Sequence, residues 1–137
     1  MRNPGSRYFL RKVKYFFFSC SIHLLETPLS KLYDWRVDIM SPKWDERHVL
    51  ELLTKHTKSE IADALLSQEM FAGLGNIIKN EVLFRLSLHP ETKVEQLTSL
   101  ERKHLVAEAR QYGLDFYKWK KRFELKKNWK IYRKRIC

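Results

Sequence analysis

Cysteine is scarce in this sequence. Cys20 and Cys137 are the only two in 137 residues, too few and too far apart for a disulfide framework, and by themselves no metal site. A reducing, cytoplasmic setting is the expectation. Long apolar runs are missing as well. The one stretch that resembles an export signal, residues 15–25 behind Arg11, Lys12 and Lys14, is broken by Ser19, Ser21 and His23, and no small-residue cleavage site follows before Glu26 and Pro28. Nothing else approaches the length needed to span a bilayer, so no membrane partner is expected. With four glycines and four prolines there is no internal repeat or low-complexity tract. The length leaves room for one compact domain. No obligate protein partner is evident.

Negative charge is missing at both ends. Residues 1–20 hold five basic and no acidic side chains, residues 21–117 hold 12 and 15, and residues 118–137 hold 10 and one, so the total of +11 divides as +5, −3 and +9. A polyanion such as nucleic acid is the commonest partner of that asymmetry, because each phosphate neutralised releases condensed counterions. A solubilising tail would carry the same charge. The last stretch, however, interleaves its cations with Trp119, Phe123, Trp129, Ile131 and Tyr132, which a solvated tail does not need.

After a turn at Asn3-Pro4-Gly5-Ser6, residues 16–24 alternate, with Phe16, Phe18, Cys20, Ile22 and Leu24 on one face and Phe17, Ser19, Ser21 and His23 on the other. That pattern predicts a half-buried strand, with residues 8–13 available to pair with it. Such a hairpin is marginal alone and implies a larger sheet. Beyond Pro28 the signals are helical. Ser41-Pro42 predicts an N-cap and first turn for a helix over 42–55, and Thr57 with Glu60 a capping box for a second helix ending near Met70. A stop at Gly73 and Gly75 follows, two glycines supplying backbone freedom. In a third helix over 76–87, Ile77, Ile78, Val82, Leu83, Phe84 and Leu86 surround the axis, the mark of a buried helix. Thr98 and Glu101 form a second capping box. Leu105, Ala109, Tyr112, Phe116, Trp119 and Phe123 then stripe one face of a long helix trusted to Tyr117, with Gly113 weakening its middle by about 1 kcal/mol.

The chemistry concentrates at Gly73-Leu74-Gly75 and the helix that opens on Asn76. The first amides of that helix lack intrahelical partners and point outward with the positive end of its dipole, a ready seat for a phosphate. Gly75 permits close backbone approach, Asn76 adds a side-chain amide, and Lys79 lies one turn in. A Gly-x-Gly turn alone does not separate this from helical hairpins that use glycine to change direction. The other candidates read as structural. His23, His48, His56 and His104 have no ligands at metal spacing, His89 sits in a turn before Pro90, and Glu81, Glu101 and Glu108 fall on solvated faces. The aromatic stripe reads as core rather than a base-stacking platform.

Residues 64–85, ALLSQEMFAGLGNIIKNEVLFR, followed by His89-Pro90-Glu91-Thr92 and preceded by Asp38-Ile39-Met40-Ser41-Pro42, resemble the helix-two-turn-helix signature of the formamidopyrimidine-DNA glycosylase and endonuclease VIII family. The resemblance covers about residues 32–117. It implies a mainly α fold: a helix-two-turn-helix DNA-binding bundle over 31–117, preceded at 1–30 by a remnant hairpin of an N-terminal β-sandwich, and followed at 118–137 by a basic segment leading to a missing zinc ribbon. It implies double-stranded damaged DNA as partner, with Gly75 and Asn76 touching phosphates beside the lesion. It also implies zinc in a full-length member, with Cys137 the first of four thiolate ligands and no cofactor held by this chain alone. The family nucleophile is the amine of an N-terminal proline followed by glutamate. Here Pro4 is acylated and precedes Gly5, so no catalytic residue is carried over and the chain alone is expected to be inert. The implied function is the DNA-binding segment of a base-excision glycosylase and abasic-site lyase. The alternative is a non-catalytic helix-two-turn-helix module of the kind found in ribosomal proteins; the lead at 38–42, the preceding strand and the basic tail favour the first.

Overall fold

A computed structural model describes the backbone of residues 7–10 and 13–16 and the whole of residues 24–132. The chain divides into two compact units, Met1–Tyr33 and Asp34–Cys137. In the first, β1 (Arg7–Leu10) pairs antiparallel with β2 (Val13–Phe16), Arg7 opposite Phe16 and Leu10 opposite Val13. The second strand thus begins three residues before the alternating stretch at 16–24, of which residues 17–23 lie outside those described. A single helical turn, α1 (Leu29–Leu32), completes this unit.

The second unit is helical. It runs α2 (Glu46–Lys55), α3 (Ile61–Leu66), α4 (Asn76–Arg85), α5 (Ser99–Lys121) and a final turn α6 (Leu125–Asn128). Its core joins Val49 and Leu53 of α2, Ile61 and Leu65 of α3, Ile78 and Val82 of α4, and Leu105, Val106 and Tyr112 of α5, with Phe71 and Leu74 from the α3–α4 connection. Each such aliphatic or aromatic side chain contributes roughly 1.5–3 kcal/mol by leaving water. No helix among the described residues is long and apolar enough to cross a membrane.

Helix starts separate local signals from tertiary ones. At α5 the predicted box is made in full, Glu101 N–H donating to Thr98 Oγ1 at 3.2 Å and Thr98 N–H to the Glu101 carboxylate at 2.7 Å. At α2 the start moves four residues past Pro42. Ser41 Oγ accepts from Lys43 N–H in a turn, and Asp45 is the cap, accepting from His48 N–H at 3.2 Å. At α3 the expected Thr57–Glu60 box is not made. The carbonyls of Thr92 and Pro90 take the N–H groups of Ile61 and Ala62 instead, and the helix ends at Leu66 rather than near Met70.

Helix α4 is not buried all round, since Phe84 is 52 % exposed. The α5 stripe also fails at its end. Leu105, Ala109 and Tyr112 are buried and Phe116 and Trp119 half-buried, but α5 stops at Lys121 and Phe123 is 96 % exposed, with φ +57°. Phe123 occupies the left-handed position after the helix that glycine usually takes. Its N–H donates to Lys120 O and that of Glu124 to Trp119 O, closing the last turn.

Candidate nucleic-acid interface

Between α3 and α4 the chain makes two successive turns. Ser67 O accepts from the N–H groups of Met70 and Phe71, and Phe71 O accepts from Leu74 N–H. The exposed Gln68 side chain latches them together. Its Nε2 donates to Leu66 O and Leu74 O, each at 3.1 Å, while its Oε1 accepts from Gly73 N–H at 3.0 Å. The sequence placed Gln68 inside a helix running to near Met70, whereas α3 ends at Leu66 and leaves it in the turn. The lead segment is tied to the same place, Ile39 N–H donating to Ala72 O and Ala72 N–H to Val37 O. The Ile39 side chain, 2 % exposed, lies against Gly73 on one side and Gly113 on the other.

The two turn glycines have different reasons. Gly73 sits at φ +89°, where a side chain is strained. Gly75 sits at φ −117° and ψ 179°, ordinary extended backbone, and a Cβ built there meets nothing within 4 Å. Neither conformational freedom nor close approach of the protein's own backbone explains glycine at 75, contrary to the sequence reading. Gly75 is instead the N-cap of α4, where no side-chain hydrogen bond caps the helix, and the space beside its Cα is open. Asn76 is exposed at the first helical position, Lys79 is half-buried one turn in, and Lys79 N–H closes on Gly75 O at 3.0 Å. The three predicted contact residues therefore sit together at the positive end of a ten-residue helix.

Glu81, placed by sequence on a solvated face, is fully buried. Its carboxylate accepts three N–H groups from the C-terminal segment, those of Lys130, Ile131 and Tyr132 at 2.8, 2.9 and 2.8 Å. No spacing rule finds a partner some 50 residues away. Burial, followed by the Glu81 charge, pushes the Tyr112 phenol up to about 12. Glu108 pairs with Arg85 at 2.8 Å, and the same guanidinium lies 4.5 Å from the centre of the Tyr112 ring. These contacts hold α4 and α5 side by side. At the start of the unit, hydrogen bonds from the Arg36 side chain hold the Asp34 carboxyl at about 2, and His48 Nε2 lies 2.9 Å from its Oδ2.

Among the described residues no three His, Cys, Asp or Glu side chains gather to hold a metal ion. Cys137 lies outside those residues, so a tetrahedral zinc finds no donor set among the groups described.

Residues 37–112, more than half of the chain, match the family described as "Formamidopyrimidine-DNA glycosylase H2TH domain". The chain belongs to that family. Human Endonuclease 8-like 3 is 35 % identical over 102 residues, covering 74 % of this chain and 17 % of that protein. The formamidopyrimidine-DNA glycosylase of Halalkalibacterium halodurans is 40 % identical over 81 residues, 59 % of this chain and 28 % of its own. Among solved structures, a viral DNA glycosylase superposes with a TM-score of 0.66 over 80 % of this chain and 43 % of its own, at 23 % identity, a likeness of fold alone. The Lactococcus lactis enzyme, solved in complex with DNA containing an abasic site, gives 0.55 at 30 % identity over 66 % of this chain and 34 % of its own. The chain spans less than half the length of each of these proteins.

Proposed function

We propose that this chain is the duplex-holding part of a base-excision glycosylase and abasic-site lyase acting on oxidised or abasic DNA, with the N-terminus of α4 seated on a backbone phosphate. The observation that carries this reading is the bare N-cap. Gly75 has no conformational need to be glycine and opens onto empty space, as a site reserved for a close-approaching anion would. Asn76 and Lys79 add a side-chain amide and a cation at the same end. The Lactococcus lactis relative, solved on abasic-site DNA, supports the choice of partner. Base removal and strand elimination belong to the full-length enzyme in this proposal.

The test is fluorescence anisotropy with a duplex carrying an abasic-site analogue, read at several salt concentrations. Gly75→Ala is expected to lower stability by no more than about 1 kcal/mol, since nothing clashes but alanine is a poorer N-cap than glycine, while weakening binding about tenfold, the equivalent of ~1.4 kcal/mol. Asn76→Ala is expected to weaken binding to every sequence equally, since a phosphate contact positions without reading bases. Unchanged affinity in both variants would refute the assignment, and tighter binding to structured RNA would favour a ribosomal-type module.

A further inference from the structure

Helix α4 carries a third residue that bears on binding, lying about 8 Å along the axis from Asn76 and about 140° around it by helix geometry. Glu81 is a carboxylate with no exposed surface in a strongly basic chain, and burying such a charge costs several kcal/mol unless hydrogen bonds replace its water. They come from one place. The successive N–H groups of Lys130, Ile131 and Tyr132 converge on its two oxygens, forming the kind of backbone concavity that elsewhere receives free anions. Ile131 and Tyr132 thereby line a groove of about 780 Å³ with Asn80, Leu83 and Phe84, and the Trp129 and Tyr132 rings meet edge-on at 5.2 Å. The exposed cations Lys126, Lys127 and Lys130 belong to this segment.

We infer that Glu81 is a positioning residue for polyanion binding: by gripping the backbone of residues 130–132 it fixes the basic C-terminal segment against α4, so that one duplex engages the segment and the α4 N-terminus together. This rests on the DNA-binding reading above. A tethered but unfixed tail keeps its charge yet loses its register on the phosphates, and that difference can be measured. In Glu81→Gln the one remaining oxygen still faces the N–H groups of Ile131 and Tyr132, but an NH2 group meets Lys130 N–H, donor against donor.

The experiment compares wild type, Glu81→Gln and Ile131→Pro, the last removing one donor without touching α4. Amide hydrogen exchange reads the grip and the salt dependence of duplex affinity reads its consequence. Glu81→Gln is expected to lose protection at residues 130–132, and Ile131→Pro at the two amides it keeps, 130 and 132, by at least about tenfold, with the amides of α5 unchanged. Both should bind duplex about tenfold more weakly, the slope of log affinity against log salt falling by roughly two as two phosphate contacts are lost. If the three amides stay protected in Glu81→Gln, the grip is not what holds the segment and the inference falls. If they are released in both variants with affinity and slope unchanged, the grip is purely structural and the inference falls while the DNA-binding reading stands. A wild-type chain that shows no salt-dependent duplex binding overturns both.

Discussion

Replacing Gly113 by alanine sets two effects of opposite sign against each other at one atom. In a helix interior alanine is favoured over glycine by about 0.5–1 kcal/mol, which alone would stabilise α5. A Cβ at 113, however, would lie 2.7 Å from Ile39 Cδ1, 3.5 Å from its Cγ1 and 3.7 Å from its Cβ. Ile39 cannot simply turn away. It is 2 % exposed and packed in the core, so moving Cδ1 aside calls for off-rotamer strain or backbone shift, typically about 1–3 kcal/mol. The clash wins, and Gly113→Ala is expected to destabilise by about 1–2 kcal/mol. Ile39→Val removes the offending Cδ1 at a cost of about 1 kcal/mol on its own. In that background Gly113→Ala should become neutral or stabilising, giving a coupling of about 1–3 kcal/mol. Urea unfolding of the four proteins, read as midpoint shifts at constant slope, measures the cycle. A Gly113→Ala chain as stable as wild type, or one whose cost persists in the Ile39→Val background, would refute the reasoning.

Three further outcomes follow from the titrating and nucleophilic groups. The Tyr112 phenol is raised to about 12 and its Oη is buried without a hydrogen-bond partner among the described residues. Stability should therefore be full below pH 10 and decline as pH rises through 12, by up to about 3 kcal/mol. Tyr112→Phe should remove that decline in an alkaline unfolding series and leave neutral-pH stability equal or up to about 1 kcal/mol higher; a clear loss at neutral pH would show that the hydroxyl is satisfied. Asp34, lowered to about 2, contributes stability present above its ordinary value of 3.8 and lost as pH falls through 2. Water at this partly exposed pair screens it to less than about 1 kcal/mol, so Asp34→Asn should flatten only the acid end of the melting-temperature profile. Borohydride trapping on abasic-site duplex should give no covalent adduct, because Pro4 carries an amide nitrogen and every described lysine except half-buried Lys79 is exposed. An adduct that survives Lys79→Arg would reveal a nucleophile elsewhere.

Sequence showed what short-range chemistry decides. Thr98 and Glu101 cap α5 as read because both partners lie within one turn, and capping and apolar signals together located α2 to α5, with the start of α2 and the end of α3 displaced. Thr57 and Glu60 carry the same pattern and fail, since residues 90–92 deliver carbonyls to the start of α3 from outside the local window. Gly73 and Gly75 look alike in sequence, yet one is a conformational requirement and the other an opening; only the path of the backbone tells them apart. Glu81 misled for the same reason. A lone carboxylate on a helix reads as solvated unless its distant backbone donors are known. Gly113 was legible as a weakness of α5, whereas the reason for it, the side chain of Ile39, was not.

The latch made by Gln68 bears on the thermodynamics of recognition. One side chain satisfies a donor and two acceptors of the turn, so the path into Gly75 is set before any partner arrives. A loop that had to be ordered on contact would forfeit roughly 1–2 kcal/mol of backbone entropy for each residue immobilised, taken directly from the affinity. In the function proposed above, that ordering is complete at the end of folding and is not drawn from the affinity.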